Sequence, residues 1–134
     1  MKMVKQRDST GCGVAAVAML YGVSYKKAKK IIKKEGGFCG REFMTDNQGM
    51  KKVLRRLRLI RKTAKFIHLR SLKNLKGKAL IGAYQKANGD WHWIVGSVDR
   101  NGPYVLNPNR CEPHRRIRKA LYRIPVKSVL YLKK

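Results

Sequence analysis

The stretch Gly11-Cys12-Gly13-Val14-Ala15-Ala16-Val17-Ala18-Met19-Leu20-Tyr21-Gly22 decides how the rest of the chain is read. From Cys12 to Tyr21 it is almost wholly apolar, yet well short of the ~20 residues that span a bilayer, so it predicts a buried helix. Gly22 ends that helix, because glycine takes the left-handed C-cap without strain. Ser24 can then N-cap a second helix, in which Tyr25, Ala28, Ile31 and Ile32 form one apolar stripe. Lys26, Lys27, Lys29, Lys30, Lys33 and Lys34 fall mostly on its other face. Gly36-Gly37-Phe38-Cys39-Gly40 reads as loop. Thr45, with Gln48 three residues on, fits a capping box. The third helix that follows carries Met50, Val53, Leu54, Leu57 and Ile60 at helical spacing.

Beyond the third helix the hydrophobic period changes. Thr63 to Leu69, Ala79 to Tyr84, Trp91 to Val98, Tyr104 to Leu106 and Val126 to Leu132 read as strands, and Arg115 to Tyr122 as a short helix. Asn101-Gly102 is a strong hairpin signal between the third and fourth strands. Helices first and an antiparallel sheet second predict an α+β fold. No repeat, linker or low-complexity tract divides residues 1–134, so one domain is expected.

Of the 134 residues, 33 are Lys or Arg and 7 are Asp or Glu, a formal charge of +26. A hydrophobic content of 43% is too high for a basic disordered tail. Met1 to Gln6 has no apolar core of a secretory signal, so a cytoplasmic protein is expected. Three cysteines without a CxxC pair argue against a disulfide framework and a four-cysteine zinc site, and no metal or organic cofactor is implied. The charge attracts polyanions, whether nucleic acid, an anionic membrane or an acidic protein. It concentrates where acids are missing: residues 47–89 hold thirteen Lys and Arg and no Asp or Glu. There Lys51, Lys52, Arg55, Arg56, Arg58, Arg61 and Lys62 can track phosphates, which makes nucleic acid the favoured partner. A further basic cluster is Arg115, Arg116, Arg118 and Lys119.

Cys12 sits at the predicted N-terminus of the buried helix, where free N–H groups and the helix dipole stabilise a thiolate and lower the thiol pKa. A thiolate nucleophile needs a base, and the base an orienting group. Among His68, His92 and His114, His92 opens the Trp91–Val98 strand, while Asn107 follows the next strand. With Asn101-Gly102 as a two-residue loop, paired residues sum to 203, and Asn107 lies opposite Gly96 on the face that carries His92. A register summing to 201 keeps that face and brings the pair closer. Gln6, shortly before the thiol, can donate its amide to a developing oxyanion together with the Cys12 N–H. Trp91 and Trp93 read as core or cleft residues, Asp90 as a turn residue, His68 as structural and Cys39 as a loop thiol without a helix start. Cys111 and His114 have a C-x-x-H spacing too sparse for a metal site.

Gln6, Cys12, His92 and Asn107, in that order, resemble the papain-like cysteine peptidases. They resemble most the compact bacteriocin-processing family that removes double-glycine leaders. The likeness is carried by Gln6-Arg7-Asp8-Ser9-Thr10-Gly11-Cys12-Gly13-Val14-Ala15, by His92-Trp93-Ile94-Val95-Gly96 and by Val105-Leu106-Asn107-Pro108. It implies a papain-like α+β fold. It also implies a peptide or protein substrate, Cys12 as nucleophile, His92 as general acid and base, Asn107 as its orienter and Gln6 as oxyanion donor. Asn107 stands where this family usually has Asp, a role that papain-like enzymes give to Asn. Charge and site together predict a peptidase that docks on nucleic acid or nucleoprotein, as a virion-associated enzyme would. The same residues also serve thiol acyl transfer or amidase chemistry, and the alternative to an enzyme is a nucleic-acid-binding protein on an inactive papain-like scaffold.

Overall fold

In the computed structural model, which describes residues 1–40, 42–109 and 116–133, the apolar run folds as helix α1 (Cys12–Tyr21). Residues Gly13 to Leu20 are all buried, as expected of a run without a polar face. Gly22 closes it at φ +78°, its N–H donating to Ala18 O. Helix α2 (Tyr25–Lys34) begins on Ser24, whose hydroxyl accepts from the Lys27 N–H. It buries Tyr25, Ala28 and Ile32 and turns all its lysines but the half-buried Lys29 outward.

Helix α3 (Asn47–Arg56) starts differently from the expected capping box. Asp46, not Thr45, is the N-cap, with its carboxylate accepting from Gly49 N–H at 2.8 Å. A carboxylate is the stronger acceptor at a helix N-terminus. The helix ends at Arg56, and Arg58 turns the chain back at φ +60°. Ile60 is buried, as its place in the stripe predicted, but lies beyond the helix.

Four antiparallel strands follow: β1 (Ala79–Ala83), β2 (His92–Asp99), β3 (Gly102–Leu106) and β4 (Val126–Tyr131), in the order β3-β2-β1-β4. One sheet face sends Leu80, Trp93, Val95, Leu106 and Leu130 into a core shared with the three helices. The other sends Ile81, Ile94, Val105 and Val129 against Leu72, Leu75 and Leu121. Leu72 and Leu121 belong to two short 3-10 turns (Leu72–Asn74 and Leu121–Arg123). The α+β architecture, with helices packed on a C-terminal antiparallel sheet, is as the sequence predicts.

Three local expectations are corrected. Thr63 to Leu69 is not a strand: Ile67 alone bridges Val129, and most of the segment lies exposed. No α-helix covers Arg116 to Tyr122, of which only Leu121 and Tyr122 fall in a 3-10 turn (Arg115 is outside the described residues). Ile117 exchanges backbone hydrogen bonds with Val105 at 3.0 and 2.9 Å, and Arg116 and Arg118 both bind the Asp99 carboxylate. Those tertiary contacts override helical spacing. The β2–β3 hairpin pairs Asp99 with Gly102 and Val95 with Leu106, the 201 register, so Arg100-Asn101 is the loop. Arg100 and Asn101 keep negative φ, while Gly102 sits at +101°. The glycine is used just after the turn, as the first residue of β3, and not within the two-residue loop.

Candidate active site

Each side of Cys12 is packed too closely for a side chain. A Cβ on Gly11 would overlap the Tyr25 hydroxyl, and one on Gly13 would overlap the Thr45 hydroxyl. The Gly-Cys-Gly sequence therefore lets α2 and the Thr45 segment close on the start of α1 from two sides. The thiol is partly exposed, and the Trp93 backbone N–H points at its Sγ from 3.5 Å. This contact puts Cys12 beside the residue that follows His92.

His92 Nε2 and Asn107 Oδ1 lie 2.7 Å apart, and Asn109 N–H donates to the same Oδ1 at 3.0 Å. The backbone donor fixes which end of the Asn107 amide is oxygen. An oxygen can only accept, so His92 donates from Nε2 and its Nδ1 carries the lone pair. Asn107 is 8% exposed, so its hydrogen bonds are screened from water. The parity expected from sequence holds, with the 201 register bringing the two residues together.

Cys12, His92 and Asn107 line one open cavity of about 730 Å³, with Trp91, Thr45 and Tyr84 in its walls. Gln6 is outside that lining, tied behind it. Its backbone N–H donates to Pro108 O at 2.9 Å, next to Asn107. Its side-chain Nε2 donates to Asp8 O at 3.1 Å and Ser9 O at 3.3 Å, while its buried Oε1 has no hydrogen-bond partner among the described residues.

The thiol pKa departs from expectation. Burial pushes the Cys12 thiol up, against the downward pull of the N–H groups of Trp93, Gly13 and Cys12 itself. The helix start supplies the donors as predicted, but desolvation outweighs them. Cys39 is also pushed up, by burial and then by the adjacent Asp46 carboxylate. A carboxylate at its side makes Cys39 a poor rival nucleophile.

A network that sequence reading missed holds the approach to Cys12. Tyr25 donates to Asp8 Oδ2 at 2.7 Å, and Lys29 Nζ pairs with the same oxygen at 2.7 Å. Asp8 O in turn accepts from Gly11 N–H at 3.0 Å. The Lys29 ammonium also stands 4.0 Å from the centre of the Phe43 ring, whose backbone N–H donates to Thr10 Oγ1. Lys29 thus ties both loops that border the cleft to α2. Tyr25 and Lys29 lie one turn apart on α2, and Asp8 is one of only seven acids, the two signals that pointed here.

The remaining residues fall as follows. Trp93 is buried and donates from Nε1 to Thr45 O at 3.2 Å, and Trp91 packs edge-on against it with Lys127 over its ring. Asp90 closes the turn with Asn88, as expected, and also lines the cavity. His68 is exposed. Cys111 and His114 lie outside the described residues.

An α+β frame in which a helix-borne thiol and a strand-borne histidine line one cavity is that of the papain-like class of cysteine peptidases. The chain belongs to the Peptidase C39 family, whose model matches residues 1–120. Its fold is similar to the peptidase domain of Streptococcus ComA, a bi-functional ABC transporter involved in a quorum-sensing pathway. The TM-score is 0.61 at 16% identity, over 98% of this chain and 96% of that one. No curated protein matches the chain. Family membership makes this a cysteine-type peptidase with a peptide substrate, as the sequence resemblance implies. Among the described residues, no helix is long and apolar enough to cross a membrane.

Proposed function

We propose that residues 1–134 form one peptidase domain that cuts peptide bonds through Cys12, His92 and Asn107. The observation that carries the reading is the 2.7 Å His92–Asn107 hydrogen bond in the cavity that Cys12 also lines. The Cys12 proton passes to His92 Nδ1 as sulfur attacks the substrate carbonyl carbon. Burial works against the thiolate and the N–H groups of Trp93, Gly13 and Cys12 work for it, so His92 is needed as the acceptor of the proton. The carbonyl oxygen, now negative, takes hydrogen bonds from the Cys12 backbone N–H and the Gln6 amide. For that, Gln6 Nε2 turns one proton away from the carbonyls of Asp8 and Ser9. His92 then protonates the leaving amine, and an acyl-enzyme remains on sulfur. Water, deprotonated by His92, attacks the acyl carbon and restores the thiol.

The test is labelling by iodoacetamide at pH 7, with sites read by mass spectrometry. Cys12 should react at least tenfold faster than Cys39 or Cys111, and Cys12→Ala should abolish peptide hydrolysis. Equal labelling of the three thiols, or hydrolysis surviving in Cys12→Ala, overturns the assignment and leaves the inactive-scaffold reading.

The second half of the reading is that the basic surface docks the enzyme on nucleic acid or nucleoprotein, the setting a virion-associated peptidase would need. What supports it is that α2 and α3 bury their apolar stripes and, apart from Lys29 at the edge of the cleft, present most of their Lys and Arg to solvent.

A further inference from the structure

One face of α3 from Gln48 to Arg56, the turn after it, Glu35 at the end of α2 and Lys133 line a second concavity, of about 900 Å³. Six of the seven cations singled out in the sequence line it; Arg61 does not. Lys133 joins them from the other end of the chain, because its backbone N–H donates to Leu59 O at 2.9 Å. The turn itself is held to α3 by Arg55, which donates to Lys62 O at 3.1 Å. The groove thus has three cationic walls in fixed relation. Its one carboxylate, Glu35, faces Arg56 at 3.4 Å, so the field inside stays strongly positive.

Its chemistry selects among polyanions. Protein interfaces take their affinity from aromatic and aliphatic anchors at the centre of the patch. Among the described residues the groove offers only Ile60, 3% exposed, as apolar lining. Single-stranded nucleic acid is held by stacking on aromatic rings, and no aromatic residue lines it either. What is left is charge at several points along a curved wall, which suits a phosphate backbone whose bases stay stacked.

We propose that this groove binds the backbone of double-helical nucleic acid without reading its sequence. The proposal rests on the docking half of the function proposed above and not on the chemistry of the cleft. The groove shares no lining residue with the Cys12 cavity.

The experiment is fluorescence anisotropy of a labelled 20-base-pair DNA duplex with the full chain. Seven cations against one carboxylate give about six phosphate contacts, so affinity should fall roughly a thousandfold between 50 and 200 mM salt. Reversing one lysine on each wall (Lys52→Glu, Lys62→Glu, Lys133→Glu) should weaken binding at least thirtyfold and flatten the salt slope. A control with the same charge change on α2 (Lys26→Glu, Lys30→Glu, Lys34→Glu) should stay within threefold of the parent. Unchanged iodoacetamide labelling of Cys12 shows that both variants are folded. If both lose binding equally, the groove is overturned and general docking survives. If the parent binds no duplex, both fall. Tighter binding of a single strand than of the duplex overturns the double-helical assignment. Displacement of the duplex by polyglutamate at equal charge overturns it in favour of an acidic protein.

Discussion

The cleft and the basic groove are built by opposite rules. In the cleft nearly every atom is specified: two glycines admit a hydroxyl on either side of Cys12, and one oxygen of Asn107 accepts both His92 and a backbone N–H. Its lining includes Glu42, Asp90 and one lysine, Lys86. In the groove the charge is carried by several long, mostly exposed side chains, none of them unique. Geometry is indispensable where a bond must be made, whereas a field is redundant by construction. Single substitutions should therefore be severe in the first region and mild in the second.

The sharpest way to break that contrast is His92→Ala. Loss of a positioned base costs on the order of 10²–10⁴ in rate. The remaining thiol must ionise unaided, and burial has pushed it up, so labelling should collapse at pH 7. It should recover only on the alkaline side of the ordinary thiol value of about 8.5. A variant that labels at the parent's rate at pH 7 would mean that His92 does not serve Cys12. Asn107→Ala should fall next, by about a hundredfold. Asn107→Asp, which keeps an acceptor oxygen toward Nε2, should recover most of the loss. A stability-only role would show equal deficits in the two variants.

Gly11→Ala tests the close packing itself. The new Cβ meets the Tyr25 hydroxyl, an overpacking that costs about 1–3 kcal/mol and displaces the Asp8 hydrogen bond. Urea unfolding measures it. Adding Tyr25→Phe removes the clashing oxygen, so the double variant should be less destabilised than the sum of the two single changes. Strict additivity would show that Gly11 is there for another reason.

The same contrast explains what could be read without coordinates. The buried helix, its lysine-faced neighbour and the antiparallel sheet are legible because period and punctuation are local signals. So are Cys12, His92 and Asn107, each of which sits at a helix start or strand end that such signals locate. The parity argument succeeds because it needs only alternation, and it tolerated the shift from a sum of 203 to 201. The segments that failed are decided from outside. Arg116 and Arg118 are held extended by Asp99, seventeen and nineteen residues away in the chain. Lys133 enters the groove only because β4 ends beside Leu59. The thiol pKa failed for a related reason: donors at a helix start are visible in sequence, and the depth of burial that outweighs them is not.

The smallest expected effect separates the two regions by pH. Asp8 is held below the usual carboxylate range, first by the Lys29 hydrogen bond and then by that of Tyr25, with burial opposing. The Tyr25 hydroxyl is pushed up to about 12, by burial and then by the Asp8 carboxylate, so it stays a donor throughout. A carboxyl whose folded-state pKa is depressed stabilises the fold above its unfolded value, about 3.9. That contribution is lost as pH falls through the lower, folded-state value. Asp8→Asn should therefore be less stable than the parent by about 1 kcal/mol at pH 6, and the gap should close as pH falls below 3.9. Denaturant midpoints of the two proteins at pH 6 and pH 3 measure it. Lys52→Gln, a loss of one groove charge from the exposed face of α3, should show no such pH-dependent gap. A gap that persists unchanged to pH 3 would mean that Asp8 acts through its shape and not its charge. The clamp beside Cys12 would then be packing alone.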